Sequence, residues 1–350
     1  MYKQIVRPLL FKLDPELIHE ITVEWLSRAG KLSPVLALLK KIYGNRAAAL
    51  PVEVMGIQFP SPVGLAAGLD KDARCISAFS SFGFGHLELG TVTPKPQPGN
   101  PVPRLFRIPE HQAIINRMGF NSGGIHPFLE NIASTHKTVP LGINLGKNAV
   151  TPIEQAADDY ISGLRQLYLY ADYFAINISS PNTKNLRDLQ SDEALDDLLE
   201  RIMKTRDDLA AEFKRKVPVA VKIAPDLEDS NIPSLAGLLT RHQVDGVIAT
   251  NTTIDHSAVA GSKHAEETGG LSGKPLKDRA NEVTVRLYRE LQGKLPIIGV
   301  GGIFTAEDAW QRLIAGADMV QIYTGFIYNG PGAVSDIVNG LARRVANSGE

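Results

Sequence analysis

From residue 63 onward, short apolar runs alternate with amphipathic segments of helical length. The runs cover 63–68, 86–92, 141–145, 173–178, 219–224, 244–250, 297–300 and 318–323. Near-continuous apolar character over so few residues predicts strands covered on both faces. Between them, 151–170, 191–213, 276–292 and 305–315 carry apolar residues at helical spacing, which predicts helices. Eight strands alternating with helices predict an α/β fold of the (β/α)8 TIM-barrel type. An open doubly wound sheet is the competing architecture. It is disfavoured because no Gly-x-Gly-x-x-Gly with a later acidic residue follows the first run.

The first fifty residues follow a different pattern. Asp14 is a suitable helix N-cap and Pro15 a suitable first residue. Ile18, Ile21, Trp25 and Ala29 then recur on one face, and Glu16, Glu20, Glu24 and Arg28 on another. Ser33 and Pro34 repeat the start signal ahead of a short apolar helix, with Gly44 as its stop. Residues 1–50 hold eight basic and four acidic side chains, although the whole chain carries a net charge of −1. A basic, apolar helical hairpin suits either the surface of an anionic membrane or packing against the main domain, and the residues alone leave both open. The division expected is a hairpin over 1–45 and a barrel over 46–350, the latter entered through a β-hairpin over 52–59.

No run reaches the roughly eighteen apolar residues of a membrane span, and the first ten lack the apolar core of a secretory signal. The chain has 350 residues, 43% of them hydrophobic and 21% charged, enough for one large core. Near-neutral charge argues against general affinity for nucleic acid. Cys75 is the single cysteine and the eight histidines show no metal-ligand spacing, so neither disulfides nor a metal are expected. His86, His126 and His242 read as surface or packing residues, and Cys75 as a small hydrophobe in the first barrel helix.

In a (β/α)8 barrel the C-terminal strand ends build the active face. Here they are Ala66-Ala67-Gly68-Leu69-Asp70-Lys71, Gly90-Thr91-Val92-Thr93-Pro94, Asn144-Leu145-Gly146-Lys147 and Asn177-Ile178-Ser179-Ser180-Pro181-Asn182. The other four are Lys222-Ile223-Ala224-Pro225, Thr250-Asn251-Thr252-Thr253, Gly299-Val300-Gly301-Gly302 and Tyr323-Thr324-Gly325. Lysines, amides, hydroxyls and glycines together suit an anionic, planar, hydrogen-bond-rich ligand. Gly301-Gly302 and Tyr323-Thr324-Gly325 end runs seven and eight, where barrels commonly bind phosphate. Lys222 interrupts an apolar strand and so should face either a polar pocket or a salt-bridge partner. Ser180 has no adjacent His or Asp and no nucleophile elbow, and by itself reads as a turn residue.

Four blocks carry a closer likeness: Gly64-Leu65-Ala66-Ala67-Gly68-Leu69-Asp70-Lys71, Asn116-Arg117-Met118-Gly119-Phe120-Asn121, Asn177-Ile178-Ser179-Ser180-Pro181-Asn182 and Thr268-Gly269-Gly270-Leu271-Ser272-Gly273. With them the chain closely resembles the dihydroorotate dehydrogenases, in particular the membrane-associated, quinone-reducing class. The likeness runs from Leu13-Asp14-Pro15-Glu16 to Gln321-Ile322-Tyr323-Thr324-Gly325-Phe326. It implies one FMN per chain, with phosphate at Gly302, Tyr323 and Thr324 and the remainder lined by Ala67, Thr91, Asn144, Asn177, Lys222, Thr250 and Gly273. It implies oxidation of dihydroorotate to orotate in pyrimidine biosynthesis. The substrate would lie against Lys71, Asn116, Arg117, Met118, Gly119, Phe120, Asn177, Asn182, Asn251 and Thr252. Ser180 falls at the position of the catalytic base, where soluble relatives carry cysteine or a variant motif. His19, Arg107 and Tyr323 match polar positions of a tunnel that admits ubiquinone or menaquinone through the N-terminal hairpin. The class implies a peripheral protein on the cytoplasmic face of the membrane, and a monomer is expected.

One departure stands out. Related sequences often continue Pro-Gly-Leu-Arg after Asn182-Thr183, whereas this chain has Lys184-Asn185-Leu186-Arg187 in a segment expected to cover the substrate. Three rivals remain at this stage: a soluble fumarate- or NAD-linked relative, an RNA-modifying flavin barrel, and a flavin-free sugar-phosphate barrel.

Overall fold

The computed structural model describes residues 2–348; Met1, Gly349 and Glu350, which fall in the two expected segments, lie outside the described residues. The eight apolar runs become β1 (Val63–Leu65), β2 (His86–Val92), β3 (Leu141–Leu145), β4 (Tyr173–Asn177), β5 (Val219–Ile223), β6 (Gly246–Ala249), β7 (Ile297–Val300) and β8 (Met319–Ile322). They pair in chain order, all parallel, and β8 closes on β1 through Val320 opposite Val63 and Ile322 opposite Leu65. Every residue of these strands is buried, which is why they read as continuous apolar runs rather than alternating ones.

The four expected barrel helices form as Ala156–Leu167, Asp192–Phe213, Lys277–Leu291 and Ala306–Ile314. The first is shorter than its pattern, because residues around Pro152 make a turn and a 3-10 segment before it. Cys75 sits just ahead of the helix Ile76–Ser80 rather than inside it, buried, with its thiol donating to the Val23 carbonyl at 3.2 Å. The expected β-hairpin forms as Val52–Val54 and Ile57–Phe59, and Val54 and Phe59 pack onto residues inside the barrel.

One element was not expected: a three-stranded antiparallel sheet of Leu105–Ile108, Ala113–Asn116 and Gly270–Gly273. Its strands are four residues each, too short to stand out as periodic runs. The sheet carries Asn116 and Gly273 to the C-terminal side of the barrel.

The N-terminal hairpin consists of α1 (Pro15–Ala29) and α2 (Ser33–Ile42). Asp14 caps α1 as expected, accepting from the N–H groups of Glu16 (3.0 Å) and Leu17 (2.9 Å). Ser33 does not cap α2. It is the first helical residue, and Leu32 takes the cap position without a side-chain bond. Gly44 follows the C-cap Tyr43 and opens a 3-10 turn, and a Cβ there would lie 2.8 Å from the Ser81 carbonyl oxygen. Val23, Leu26, Leu39 and Tyr43 face the barrel core, and Arg104 pairs with Glu16 at 2.8 Å. On the other side Leu13, Leu17, Ile21, Trp25, Leu32 and Leu38 are exposed, Trp25 by 67%. Among the described residues no helix is long and apolar enough to cross a membrane.

Arg312 fixes the end of β7. From the helix Ala306–Ile314 its fully buried guanidinium donates to the carbonyls of Val300 (2.9 Å) and Gly301 (2.9 Å) and to Asn281 Oδ1 (2.6 Å). Arg312→Met strands these acceptors and should cost about 3 kcal/mol. The check is urea unfolding, in which the midpoint should fall with an unchanged m-value; an unchanged midpoint would contradict this role.

Candidate active site

A pocket opens at the C-terminal end of the barrel and gathers side chains from most of the strand ends. Asn177 is the last residue of β4, and its carbonyl accepts from the buried Tyr160 hydroxyl at 2.9 Å. Its side-chain amide donates to Thr91 Oγ1 (3.2 Å) and Asn144 Oδ1 (3.1 Å), while its Oδ1 accepts from Ser179 Oγ (3.0 Å). Asn251 adds a third amide, donating to Ser179 Oγ at 3.0 Å. Asn182 donates to Asn116 Oδ1 at 3.3 Å. Four asparagines thus share one wall; Asn116, Asn182 and Asn251 keep polar valence that can meet a ligand, whereas the Asn177 amide is fully engaged by protein groups.

Ser180 lines the same pocket and is nearly buried. Its hydroxyl oxygen accepts the Asn182 backbone N–H at 3.3 Å, the turn contact that the residue pattern suggests. Lys71 enters from the loop after β1 and donates to Asn121 Oδ1 at 2.6 Å. Burial, helped by the nearby Arg104 charge, lowers its ammonium to a pKa of about 8. His19, from α1, also lines the pocket, and burial with the Lys71 charge lowers its imidazole to about 4, so it is neutral near pH 7. Burial raises the Tyr323 phenol to about 12.

The far end of the pocket is built from backbone. Gly301, Gly302, Gly325 and Thr324 lie there, with Gly273 close by. Gly302 has φ +73°, and a Cβ on it would sit 2.3 Å from the Lys277 Cα, so the bend admits only glycine. Thr324 Oγ1 hydrogen-bonds Ser272 Oγ at 2.8 Å, joining this end to the three-stranded sheet. Between the two ends lie small residues, Ala66 and Ala67, flanked by Thr91, Lys222 and Thr250. The donor set fits an elongated ligand with a phosphate at one end and a planar, hydrogen-bonding ring at the other.

Nearly all the expected site residues therefore converge: Lys71, Asn116, Met118, Gly119, Phe120, Asn177, Ser180, Asn182, Asn251 and Thr252 on the substrate side, and Ala67, Thr91, Lys222, Thr250, Gly273, Gly302, Tyr323 and Thr324 on the cofactor side. Three do not line the pocket. Asn144 lies behind Thr91 and Asn177, accepting from both. Arg117 pairs with Glu267 at 2.7 Å and its guanidinium stacks on Phe106. Arg107 stacks on Phe11 at 4.5 Å and donates to the Leu10 and Leu13 carbonyls at the foot of the hairpin.

Lys222 satisfies both alternatives left open for it, lining the pocket while pairing with the fully buried Glu88 at 3.4 Å. Sequence reasoning passed over Glu88. Its signal was an acid between Leu87 and Leu89 inside an apolar run. Two further residues were also missed. Arg187 donates to the carbonyls of Ser179 (3.0 Å) and Thr252 (3.0 Å) and pairs with Asp226 (2.7 Å), tying together the loops after β4, β5 and β6. Thr183 buries a hydroxyl with no protein partner three residues beyond Ser180. Of the histidines, His86 is packed inside the barrel, His126 is on the surface, and His242 contacts Asp196 at 2.6 Å.

Residues 49–345 match the model of the dihydroorotate dehydrogenase family. The chain is 52% identical over 338 residues to a protein of Escherichia coli (strain SMS-3-5 / SECEC) named dihydroorotate dehydrogenase (quinone), covering 97% of this chain and 99% of that one. It is 50% identical over 337 residues to the protein of the same name in Methylococcus capsulatus, covering 96% and 98%. Among solved structures, the DHODH of Eimeria tenella in complex with ferulenol superposes with a TM-score of 0.87 at 37% identity, covering 96% of this chain and 93% of that one. The ligand-free form from the same organism gives a TM-score of 0.86 at 38% identity, covering 96% of each. By both the extent of the family match and the identity shared with these relatives, the chain belongs to the dihydroorotate dehydrogenase family.

Proposed function

We propose that this protein oxidises dihydroorotate to orotate and passes the electrons through FMN to a quinone in the membrane, a step of pyrimidine biosynthesis. The observation that carries the reading is the wall of four asparagines beside Lys71 and Ser180, in a pocket whose far end is a glycine cradle. Dihydroorotate is a small ring with one carboxylate and two imide carbonyls. Lys71 answers the carboxylate, Asn116, Asn182 and Asn251 offer donors and acceptors for the ring edge, and Asn177 would join them by exchanging a protein contact for the ligand. The phosphate of FMN would sit at Gly302, Tyr323 and Thr324, with its ring system along Ala67, Thr91, Asn177 and Lys222. FMN supplies the hydride acceptor when bound.

Ser180 Oγ takes the proton from the ring carbon next to the one that loses hydride. A serine hydroxyl is a weak base at neutral pH, so the proton must move on through a hydrogen-bonded neighbour or water. Thr183, with its unpartnered buried hydroxyl in the same loop, is the side chain best placed in sequence to help. Arg187 keeps the loop in register by fastening the carbonyl beside Ser180 to the neighbouring strand ends. At the departure Lys184-Asn185, Asn185 has φ +57°, a left-handed conformation that asparagine tolerates and that would suit the glycine often found there in related sequences.

The hairpin carries the quinone-linked part of the reading. Its exposed apolar residues form the side that would rest on anionic lipid at the cytoplasmic face, and its inner side brings His19 to the pocket. Quinone would enter between α1 and α2 past His19 and Tyr323, with Arg107 bracing the Leu10 and Leu13 carbonyls at the base of the path.

Two outcomes test the assignment of roles. Lys71 is charged below about pH 8 and loses its proton above it, so affinity for a carboxylate is full below that point and declines as pH rises through it. The kcat/KM for dihydroorotate should fall towards tenfold per pH unit above about 8, and Lys71→Gln should remove that limb along with most of the affinity. A limb unchanged in Lys71→Gln would assign it elsewhere. For the base, Ser180→Ala should retain its full FMN content yet slow single-turnover flavin reduction by about 10²–10⁴. A rate near that of the wild type would take Ser180 out of the role.

A further inference from the structure

The centre of the barrel holds a charge that none of these steps uses. Glu88, on β2, has no exposed surface, and both of its oxygens are fully engaged. Oε1 accepts from Asn144 Nδ2 (2.8 Å) and pairs with Lys222 Nζ (3.4 Å). Oε2 accepts from Gln321 Nε2 (2.8 Å) and the Tyr173 hydroxyl (3.1 Å). The four partners come from β3, β5, β8 and β4. No other carboxylate among the described residues pairs with Lys222.

The charge state follows from these contacts. Burial alone would raise the Glu88 carboxyl, but the Lys222 ammonium and the bonds from Gln321 and Asn144 outweigh it and hold the group below the usual carboxylate range. The other titratable groups facing it are neutral: burial lowers His86 to about 4 and raises the Tyr173 phenol well above its ordinary value. Glu88 and Lys222 are thus a compensated pair, one member sealed inside the barrel and the other lining the pocket beside the expected flavin.

We propose that Glu88 is a positioning residue for the redox centre: as the buried counterion of Lys222, it keeps that lysine charged and fixed at the pocket edge in both oxidation states. The inference rests on the flavin reading above. Without the carboxylate, Lys222 would be an ammonium buried without a partner, which is strongly disfavoured. It would give up its proton while the pocket is neutral and recover it from solvent when reduction adds negative charge. Reduction by two electrons would then take up one more proton than in the wild type.

That extra proton is measurable apart from turnover. For a two-electron couple, each tenfold change in proton concentration shifts the potential by about 30 mV per coupled proton. Spectroelectrochemical titration of the FMN-loaded protein should therefore give Glu88→Gln a midpoint potential that falls more steeply with pH than the wild type, by about 30 mV per pH unit. Glu88→Met should do the same and serves if the amide variant does not fold. Glu88→Asp, which keeps the charge, should restore the wild-type slope. In a Lys222→Met background the Glu88→Gln change should leave the slope unaltered. A flavin-loaded Glu88→Gln or Glu88→Met protein with the wild-type slope would overturn the proposal, as would a Glu88→Asp protein that behaves like the amide variant. A wild-type protein that is colourless and takes up no FMN would instead overturn the flavin reading beneath it.

Discussion

Eight parallel strands closed into a barrel leave an interior that solvent does not reach, and any charge placed there must be answered from within. Here the interior holds Glu88, and Lys222 on β5 answers it, with Asn144, Tyr173 and Gln321 filling the remaining valences. The consequence is geometric as well as electrostatic. One carboxylate bonded to side chains from four other strands fixes the mutual rotation of the strands whose ends build the pocket. Asn144 passes that order upward, accepting from Thr91 and Asn177, and Asn177 passes it on to Ser179 and Asn251. Asn177 and Asn251 are thus oriented from below by a network rooted in a buried ion pair.

Above this floor the structure separates two tasks. In the proposed reading the glycine-rich end, held from behind by Arg312, would meet a phosphate with backbone, while the amide end would read a ring with side chains. The loops that cover the amide end are linked by Arg187 to Asp226 and to two backbone carbonyls, so the loop carrying Ser180 is tied to its neighbours. The N-terminal hairpin adds a third component. It packs by Val23, Leu26, Leu39 and Tyr43, contributes His19 to the pocket, and turns Trp25 and its apolar neighbours outward.

The barrel was legible in the sequence because strands buried on both faces leave unbroken apolar runs. Its helices were legible because one buried face imposes helical spacing. The small antiparallel sheet was not, since runs of four residues are too short to establish a period, and Asn116 and Gly273 came into view only through family likeness. Ser180 shows the same limit more sharply. Its local pattern is that of a turn, its hydroxyl does accept a turn-like N–H, and only its place at the fourth strand end and the likeness together single it out. Lys222 betrayed itself as a charge in an apolar strand. Glu88 carried the same signal and escaped notice, because a leucine on each side made its run look uniformly apolar. Asn144, Arg117 and Arg107, whose site roles came from the family likeness, bond to protein groups beside the pocket: Asn144 to Glu88, Arg117 to Glu267, and Arg107 over the Phe11 ring.

The central claim is that one pocket joins dihydroorotate oxidation to a quinone arriving through the hairpin. The most direct measurement is the choice of electron acceptor by the reduced protein. The FMN-loaded wild type, bleached anaerobically with dihydroorotate, should be reoxidised rapidly by quinone in anionic vesicles and negligibly by fumarate or NAD. Rapid reoxidation by fumarate or NAD with no response to quinone would contradict the account.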